Sequence, residues 1–155
     1  QHVRRAERAQ LKPLIRLNMA SDLDWIDVIE KWPTVTFFDY TKIRGRFEQY
    51  LNGKLPENYH LTFSRHEKHS SELIESLKRG GNVAQVFDVA YNGQRKIFGP
   101  LPKFERVGSL RVSVTDGDRH DVRLPQVDGR GVIVGLRVKG TNAAKESARE
   151  SGFAR

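Results

Sequence analysis

The chain has 155 residues, no cysteine, and 27 lysine and arginine against 19 aspartate and glutamate residues, a formal net charge of +8. This length fits one domain. The lack of cysteine excludes disulfides, thiolate nucleophiles, structural zinc of the thiolate kind and protein-ligated iron–sulfur clusters. The longest apolar stretch, residues 131–136, is too short to cross a bilayer. We therefore expect a soluble cytoplasmic protein with no membrane partner.

Positive charge is concentrated near the start of the sequence. Apolar residues recur there at three-residue spacing from Val3, which predicts a short basic helix within residues 1–13 that ends before Pro13. The helix is either a phosphate-binding arm or a solvated helix docked on the domain. Nucleic acid is a possible partner, since a basic surface attracts phosphates, although such a surface is also a common solubility device. The basic residues that precede the first acidic cluster are Arg4, Arg5, Arg8, Lys12 and Arg16.

The next part of the chain alternates short apolar runs with helical patterns. Strands separated by helices of this length favour parallel pairing through right-handed crossovers, because a parallel return needs a long connection. The first half is therefore predicted to be α/β, with mostly parallel βα units in a partial-barrel-like or open sheet. The predicted strands are residues 14–17, 34–38, 59–63 and 83–87.

Local signals mark the ends of the intervening helices. Ser21 begins a capping-box pattern for a first helix that Pro33 stops. Thr41 is placed to cap a second helix, and Gly53 suits the left-handed position that ends it. Residues 80–81, both glycine, end a third helix.

The second half is predicted to be richer in β-structure. Residues 92–93, Asn-Gly, suggest a hairpin within residues 89–98. Residues 116–117, Asp-Gly, suggest another hairpin between residues 110–114 and 122–124.

The most apolar run, residues 131–138, is expected to form a central strand. The small and charged residues that follow are typical of a tail or short surface helix. The chain thus divides into a basic arm at residues 1–13, a single α/β domain at 14–140 and a C-terminal tail at 141–155.

Polar residues gather where the predicted strands end. In parallel α/β proteins the loops after the strands carry binding groups, because helix N-termini converge there. Each residue also has a structural interpretation: Ser21 and Thr41 as caps, Asp22 by the helix dipole, and Tyr40 by packing of its ring. The clustering nevertheless favours a site. The set comprises Asn18, Ser21, Asp22, Asp39, Tyr40, Thr41, Lys42, Ser64, Arg65, His66, Glu67 and Asp88.

Two kinds of chemistry are open to this set. Lys42 and Arg65 are expected to form an anion or phosphate clamp, which requires little special geometry. A nucleophile built on Ser64 and His66 would need an orienting group and an oxyanion site, and the sequence places neither.

Residues 116–121 are the densest acidic segment. Asp116, Asp118, His120 and Asp121 could hold a magnesium or manganese ion, but a hairpin turn explains the segment better. The histidines include no helical zinc pair, and neither a P-loop nor a Gly-x-Gly-x-x-Gly motif occurs. We therefore expect no cofactor, with a divalent metal as the open alternative.

The order of these segments resembles the phage and plasmid family called gene product 88. The resemblance covers residues 14–153. It rests on residues 16–18, 21–25, 37–42 (Phe-Phe-Asp-Tyr-Thr-Lys), 59–64, 82–84, 116–123 (Asp-Gly-Asp-Arg-His-Asp-Val-Arg), 131–136 and 139–140. The family is similar to radical-SAM-type partial barrels, and its longer members begin with a cysteine-bearing segment. This sequence contains no such segment, so no iron–sulfur cluster is expected; it reads as a truncated or cluster-free member.

The resemblance implies a protein of a mobile element, acting in the host-cell cytoplasm, without implying a reaction. The family's recurrent residues fall on Ser21, Asp22, Tyr40, Thr41, Lys42, Ser64, Asp116, Asp118, His120 and Asp121. They largely coincide with the strand-end set.

Three functional hypotheses follow. The leading one is a nucleic-acid-associated or anion-binding protein whose phosphate contacts come from Arg4, Arg5, Arg8, Lys42 and Arg65. The second is a metal-assisted enzyme acting on a phosphate or nucleotide through Asp116, Asp118 and His120. The third is a host-interaction or anti-defence protein that acts on a host protein by surface complementarity.

Overall fold

The computed structural model describes residues 1–65, 70–92 and 97–154. Within them the helices are α1 (His2–Arg8), α2 (Ile26–Ile29), α3 (Arg44–Leu51), α4 (Ser70–Lys78), α5 (Pro125–Asp128) and α6 (Asn142–Glu150). The strands are β1 (Leu14–Ile15), β2 (Thr36–Thr41), β3 (Tyr59–Ser64), β4 (Asn82–Phe87), β5 (Tyr91–Asn92), β6 (Ile97–Phe98), β7 (Phe104–Val107), β8 (Leu110–Asp116) and β9 (Ile133–Arg137). No helix among the described residues is long and apolar enough to span a membrane.

Seven strands form one open sheet in the order β1-β2-β3-β4-β9-β8-β7. Every neighbouring pair is parallel except β7 with β8, which is antiparallel. The first four strands lie side by side in chain order, joined by connections that contain α2, α3 and α4. The predicted α/β class with mostly parallel βα units is confirmed, and the sheet is open rather than closed into a barrel.

One face of the sheet, the helix face, carries the larger core. Phe37, Tyr59, Leu61 and Phe63 are buried on it, with Phe37 in register with Tyr59. Phe47 of α3 packs here, its ring centroid 5.3 Å from that of Phe63. Because side chains alternate between the two faces of a strand, the intervening residues of β2 and β3 point to the other side.

The second face is covered by the connection between β8 and β9. Asn82 donates from Nδ2 to the carbonyl of Gly129 at 2.8 Å and accepts at Oδ1 from the amide of Val132 at 3.2 Å. The Thr115 hydroxyl donates to the carbonyl of Asp128 at 3.2 Å. Both faces of the sheet are therefore packed, as expected for a parallel sheet.

A buried ion pair holds this connection together. Arg123 donates to Asp128 Oδ1 at 2.7 Å, and the two side chains are 0% and 1% exposed. Arg123 also donates to the carbonyls of Gly117 and His120. Burial raises the pKa of the Asp128 carboxyl, although the Arg123 charge opposes this rise.

The predicted hairpin at Asp116 and Gly117 is wrong. β8 continues to Asp116 and pairs with β7 on one side and β9 on the other, so β8 has no free edge with which residues 122–124 could form a hairpin. They instead lead into α5, with the buried Arg123 beneath it. The hairpin predicted within residues 89–98 does form, as the antiparallel pair β5 and β6, while residues 93–96 lie outside the described part.

The first predicted helix is much shorter than expected. Ser21 does not cap it, because its hydroxyl donates to Asn18 Oδ1 at 2.8 Å. Asn18 also bonds both the amide and the carbonyl of Leu23, which removes these groups from any helical ladder. Only Ile26–Ile29 remain helical, and the Asp24 carboxylate accepts from the amide of Ile26 at 3.0 Å.

The predicted C-terminal ends of the second and third helices agree with the structure. Gly53 and Gly80 follow α3 and α4 with φ of +66° and +85°, the left-handed conformation that glycine adopts readily. The residues after 140 form α6, capped at Thr141, which accepts from the amide of Ala144 at 3.3 Å. Beyond α6, Ala154 makes an isolated bridge to Val86 of β4. The division into arm, domain and tail stays a prediction.

The buried pair gives a stability prediction. Arg123→Ala should lower the free energy of unfolding by about 3–5 kcal/mol, because it leaves the Asp128 carboxylate buried without its cation. Urea denaturation at neutral pH measures this loss. Arg119→Ala is the matched control in the same connection; with a side chain 80% exposed, it should change stability by less than about 0.5 kcal/mol.

Replacing both partners, Arg123→Met with Asp128→Leu, should recover much of the loss, since no unpaired charge then stays buried. If the Arg123→Ala variant were as stable as the wild type, the role assigned to this pair would be contradicted.

Candidate functional site

A cavity of about 760 Å³ lies at the carboxyl ends of the strands. Parallel pairing places these ends along one edge of the sheet, so the loops that leave them converge. We call this space the strand-end cavity. Each of the converging loops contributes side chains to its lining. Among them are Arg16 and Met19 after β1, Tyr40, Lys42 and Ile43 at the end of β2, Ser64 at the end of β3, Asp118 and Asp121 after β8, and Lys139 after β9.

Asn18 organises the loop after β1. Its Oδ1 accepts from the Ser21 hydroxyl at 2.8 Å, and from the Leu23 amide and Trp25 Nε1 at 3.1 Å each. Its backbone amide donates to Asp39 Oδ1 at 2.8 Å. Asn18 is 2% exposed, so its side chain mainly holds the wall of the cavity in place.

Asp22 ties that loop to the end of β2. Its carboxylate accepts from the Thr41 hydroxyl at 3.0 Å and from the backbone amide of Lys42 at 2.7 Å. Arg46 of α3 completes the arrangement with an ion pair of 2.5 Å. Thr41 also accepts from the amide of Ile43 at 3.0 Å, although the N-cap position of α3 is Ile43 itself.

Asp39 is buried on the helix face of β2. It is 0% exposed and also accepts from the Tyr59 hydroxyl at 3.1 Å. Burial raises the pKa of the Asp39 carboxyl, while the hydrogen bonds from Asn18 and Tyr59 and the charge of Arg16 oppose this rise. The pKa of Tyr59 is raised by its own burial and by Asp39. Asp39 therefore supports the loop after β1 from the helix face of the sheet and does not face the cavity.

Arg16 bridges two distant parts of the sheet. Five strand spacings separate β1 from β8, about 24 Å in a flat sheet. Nevertheless Arg16 Nη1 lies 3.4 Å from Asp121 Oδ1, because the connection after β8 crosses the second face towards β1. The Arg16 guanidinium also lies 4.9 Å from the centre of the Tyr40 ring, a cation–π contact. Burial raises the pKa of the Tyr40 hydroxyl.

The acidic residues at the end of β8 and directly after it contact arginine and lysine side chains. Asp116 accepts from both terminal nitrogens of Arg137, at 2.7 and 2.9 Å, and this bidentate contact lowers the pKa of the Asp116 carboxyl. Asp118 Oδ2 accepts from Arg137 Nη1 at 3.1 Å. Lys139 Nζ lies 2.8 Å from Asp118 Oδ1, an ion pair without hydrogen-bond geometry. His120 lies beside Arg123, with Nδ1 3.4 Å from Nη2.

The described residues contain no group of three or more acidic or histidine side chains that could hold a metal ion. Of the four residues predicted for such a site, Asp116 and Asp118 share Arg137, Asp121 faces Arg16, and His120 faces Arg123. The segment has the right residue types for a metal, but each one lies next to an arginine.

Three polar groups of the cavity form no hydrogen bond or ion pair with any described residue. They are the Lys42 ammonium and the hydroxyls of Tyr40 and Ser64. Lys42 is exposed, whereas Tyr40 and Ser64 are half-buried on the second face. These groups remain available to a ligand.

The other predicted anion-binding residues lie elsewhere. Arg4, Arg5 and Arg8 are exposed on α1, and Arg4 lines a separate cavity between α1 and α2. Arg65 donates to Gln85 Oε1 and does not line the strand-end cavity. His66 and Glu67 lie outside the described residues. Asp88 accepts from Arg149 of α6 at 2.7 Å and does not line the strand-end cavity.

Sequence reasoning assigned no role to several residues that line or support the cavity. Arg16 enters only as part of the basic segment and of the family resemblance, and Lys139 only as part of the family resemblance. Their positions directly after strands β1 and β9 were the available signal. Met19 and Ile43 carried none, because their exposure, 81% and 43%, is visible only in the folded chain.

The family model described as gene product 88 matches residues 1–155. The chain belongs to the gene product 88 family. This confirms the resemblance and, with it, the expectation of a phage-type gene product. No curated protein and no solved structure matches the chain. The chemistry of this family member must therefore be argued from its own residues.

Asn18 gives the first prediction for this site. Asn18→Ala should lower the free energy of unfolding by about 2 kcal/mol or more, because it leaves the amide of Leu23 and the indole of Trp25 without their acceptor. Thermal or urea unfolding measures the change. Asn142→Ala, at an exposed position of α6, is the control and should have little effect. Equal losses in the two variants would remove Asn18 from its organising role.

Asp39 gives a pH prediction. The pKa of its carboxyl is raised in the folded protein above its usual value of 3.8, so the folded state keeps a proton that the unfolded state has released. The stabilisation linked to Asp39 is therefore complete below pH 3.8 and is lost as the pH rises through the folded pKa. In Asp39→Asn this position no longer titrates, so it contributes no pH dependence of this kind. We expect stability to shift in favour of this variant, relative to wild type, as the pH rises.

Urea unfolding at a series of pH values from about 4 to 7 measures this difference. Asp27→Asn, at an exposed position of α2, should keep the pH dependence of the wild type. A constant difference between Asp39→Asn and wild type over this range would contradict the raised pKa.

Proposed function

We propose that this member of the gene product 88 family binds a phosphate-bearing ligand of the nucleic-acid class at the strand-end cavity. The observation that carries the proposal is the ammonium of Lys42, which pairs with none of the described residues, in a cavity whose carboxylates all have basic partners. An exposed lysine without a partner is common, but one at the convergence of several strand ends is well placed to receive an anion.

The charges around Lys42 are otherwise balanced. Asp22 pairs with Arg46 at 2.5 Å, Asp121 with Arg16 at 3.4 Å, and Asp118 with Lys139 at 2.8 Å. The positive charge of Lys42 is therefore not neutralised locally. The backbone amide of Lys42 is held by Asp22, which fixes the point from which the side chain extends.

The charge of the whole chain supports the same class of ligand. The formal net charge is +8, and the exposed arginines of α1 add positive potential beside the first strand. A polyanion is attracted by such a field over distances comparable with the Debye length, and its counterions are released on binding. The positive potential of the chain promotes the encounter with a polyanion, and the strand-end cavity supplies the specific contact.

The geometry gives less support to the metal-assisted enzyme. Asp116 and Asp118 already pair with Arg137, whose side chain is 4% exposed. A divalent cation at these carboxylates would have to displace a buried arginine, which is costly. The ion pairs favour a binding site over a metal-assisted reaction. The surface-interaction hypothesis has no comparable observation to carry it.

Lys42→Ala tests the proposal. Binding of fluorescently labelled oligonucleotides, followed by anisotropy over a range of salt concentrations, should weaken in this variant. The slope of log affinity against log salt concentration should fall by about one, because one phosphate contact is lost.

Lys54→Ala is the matched control, with the same change in charge at an exposed lysine beyond the other end of α3. It should keep the wild-type salt slope within error. If both variants bound oligonucleotides equally weakly, the effect would come from net charge alone and not from the position of Lys42. If no oligonucleotide bound at low salt, the proposal would be rejected.

A further inference from the structure

We propose that the strand-end cavity receives one unpaired nucleotide, either free or within a single strand, with its phosphate at Lys42 and its base among Tyr40, Met19 and Ile43. This inference rests on the proposed function and narrows it from phosphate-bearing ligands in general to those that present an exposed base. The size of the cavity, its apolar rim and its unpaired hydroxyls lead to it independently of the charge argument.

The cavity has the dimensions of a small-molecule site. Its volume of about 760 Å³ falls within the roughly 300–1,000 Å³ usual for such sites. A nucleotide unit has a size that such a site encloses. In a duplex the bases are stacked and paired, so only groove edges and phosphates are presented to a protein. A duplex could touch Lys42 but could not fill the cavity behind it.

Apolar side chains are exposed at the rim. Met19 is 81% exposed and Ile43, next to Lys42, is 43% exposed, and both line the cavity. Leu136 of β9 adds an apolar patch to the interior. An inorganic phosphate or sulfate gains nothing from contact with apolar side chains, because it has no apolar surface to bury. The face of a nucleobase does have such surface and buries it against them.

Tyr40 and Arg16 offer planar groups. The guanidinium of Arg16 lies 4.9 Å from the centre of the Tyr40 ring. Its Nε donates to the carbonyl of Asn18 at 3.2 Å, and its Nη1 lies 3.4 Å from Asp121 Oδ1. Unpaired bases commonly stack on tyrosine rings and on arginine planes. Both residues line the strand-end cavity, so a base entering there meets one or the other.

The hydroxyls of Tyr40 and Ser64 add hydrogen-bonding capacity beyond what the phosphate requires. Neither bonds to a described residue, and both lie on the second face, at the ends of neighbouring strands. A hydroxyl can donate as well as accept, so this pair matches the mixed donors and acceptors along the edge of a base. The same edge is occupied by the partner strand in a duplex.

The test compares ligands that share phosphates but differ in base exposure. Anisotropy is measured with a labelled single strand and with the duplex of the same sequence and length, and mononucleotides and inorganic phosphate serve as competitors. We expect the single strand to bind at least about ten-fold more tightly than the duplex at matched salt. Mononucleotides should compete more strongly than inorganic phosphate at equal concentration.

Met19→Ala and Tyr40→Ala should each weaken single-strand binding by about five-fold or more, with little effect on duplex binding. Leu11→Ala removes a side chain that is 66% exposed and does not line the cavity, and it should leave both affinities unchanged. Unfolding measured on each variant confirms that it is folded. Should Tyr40→Ala fail to fold, Tyr40→Phe tests the hydroxyl alone and Met19→Ala still tests the apolar rim.

The outcomes separate this inference from the proposed function. Equal binding of single strand and duplex, with both affinities dependent on Lys42, would overturn the unpaired nucleotide and leave the phosphate site standing. Preference for the single strand that is unaffected by Met19→Ala and Tyr40→Ala would place the base elsewhere and overturn the inference as well. Absence of all nucleic-acid binding at low salt would overturn both.

Discussion

Parallel hydrogen bonding between β1, β2, β3, β4, β9 and β8 is the constraint on which the site depends. A parallel ladder requires each strand to return through a crossover, so every strand reaches the same edge before its loop begins. Residues as distant in sequence as Arg16, Lys42 and Lys139 are thereby brought to one cavity. An antiparallel arrangement of the same segments would have sent alternate strand ends to opposite edges.

The polar residues at this edge divide into those that build the cavity and those that face it unpaired. Asn18 and Asp22 use their hydrogen-bonding capacity on the loop after β1 and on the end of β2, and Asp39 supports them from the helix face. Lys42 and the hydroxyl of Tyr40 have no partner among the described residues. The supporting residues hold the wall in place, so that the others meet a ligand in a fixed arrangement.

Where sequence reasoning was wrong, a long-range contact had replaced a local preference. Asp116 and Gly117 form a good turn signal, but β9 pairs with β8 and leaves no room for a hairpin partner. Ser21 is a good cap, but its hydroxyl donates to Asn18, which Asp39 of β2 holds in place through the Asn18 backbone amide. The acidic segment had the composition of a metal site until folding placed Arg137 against it. Propensity is a local quantity, and such contacts are not.

Local sequence patterns were enough to predict the α/β class, the four leading strands, the glycine-terminated helices and the gathering of polar residues after the strands. Hydrophobic periodicity and the positions of glycine and proline are properties that the chain carries in any conformation. It also carried the order of motifs by which the family is recognised. Which polar groups are paired could be read only from the folded chain. Arg16 pairs with Asp121 across the sheet, while Lys42 has no partner in the part of the chain that the structure describes. Pairing depends on distances between residues far apart in the chain, and these exist only once the sheet has formed.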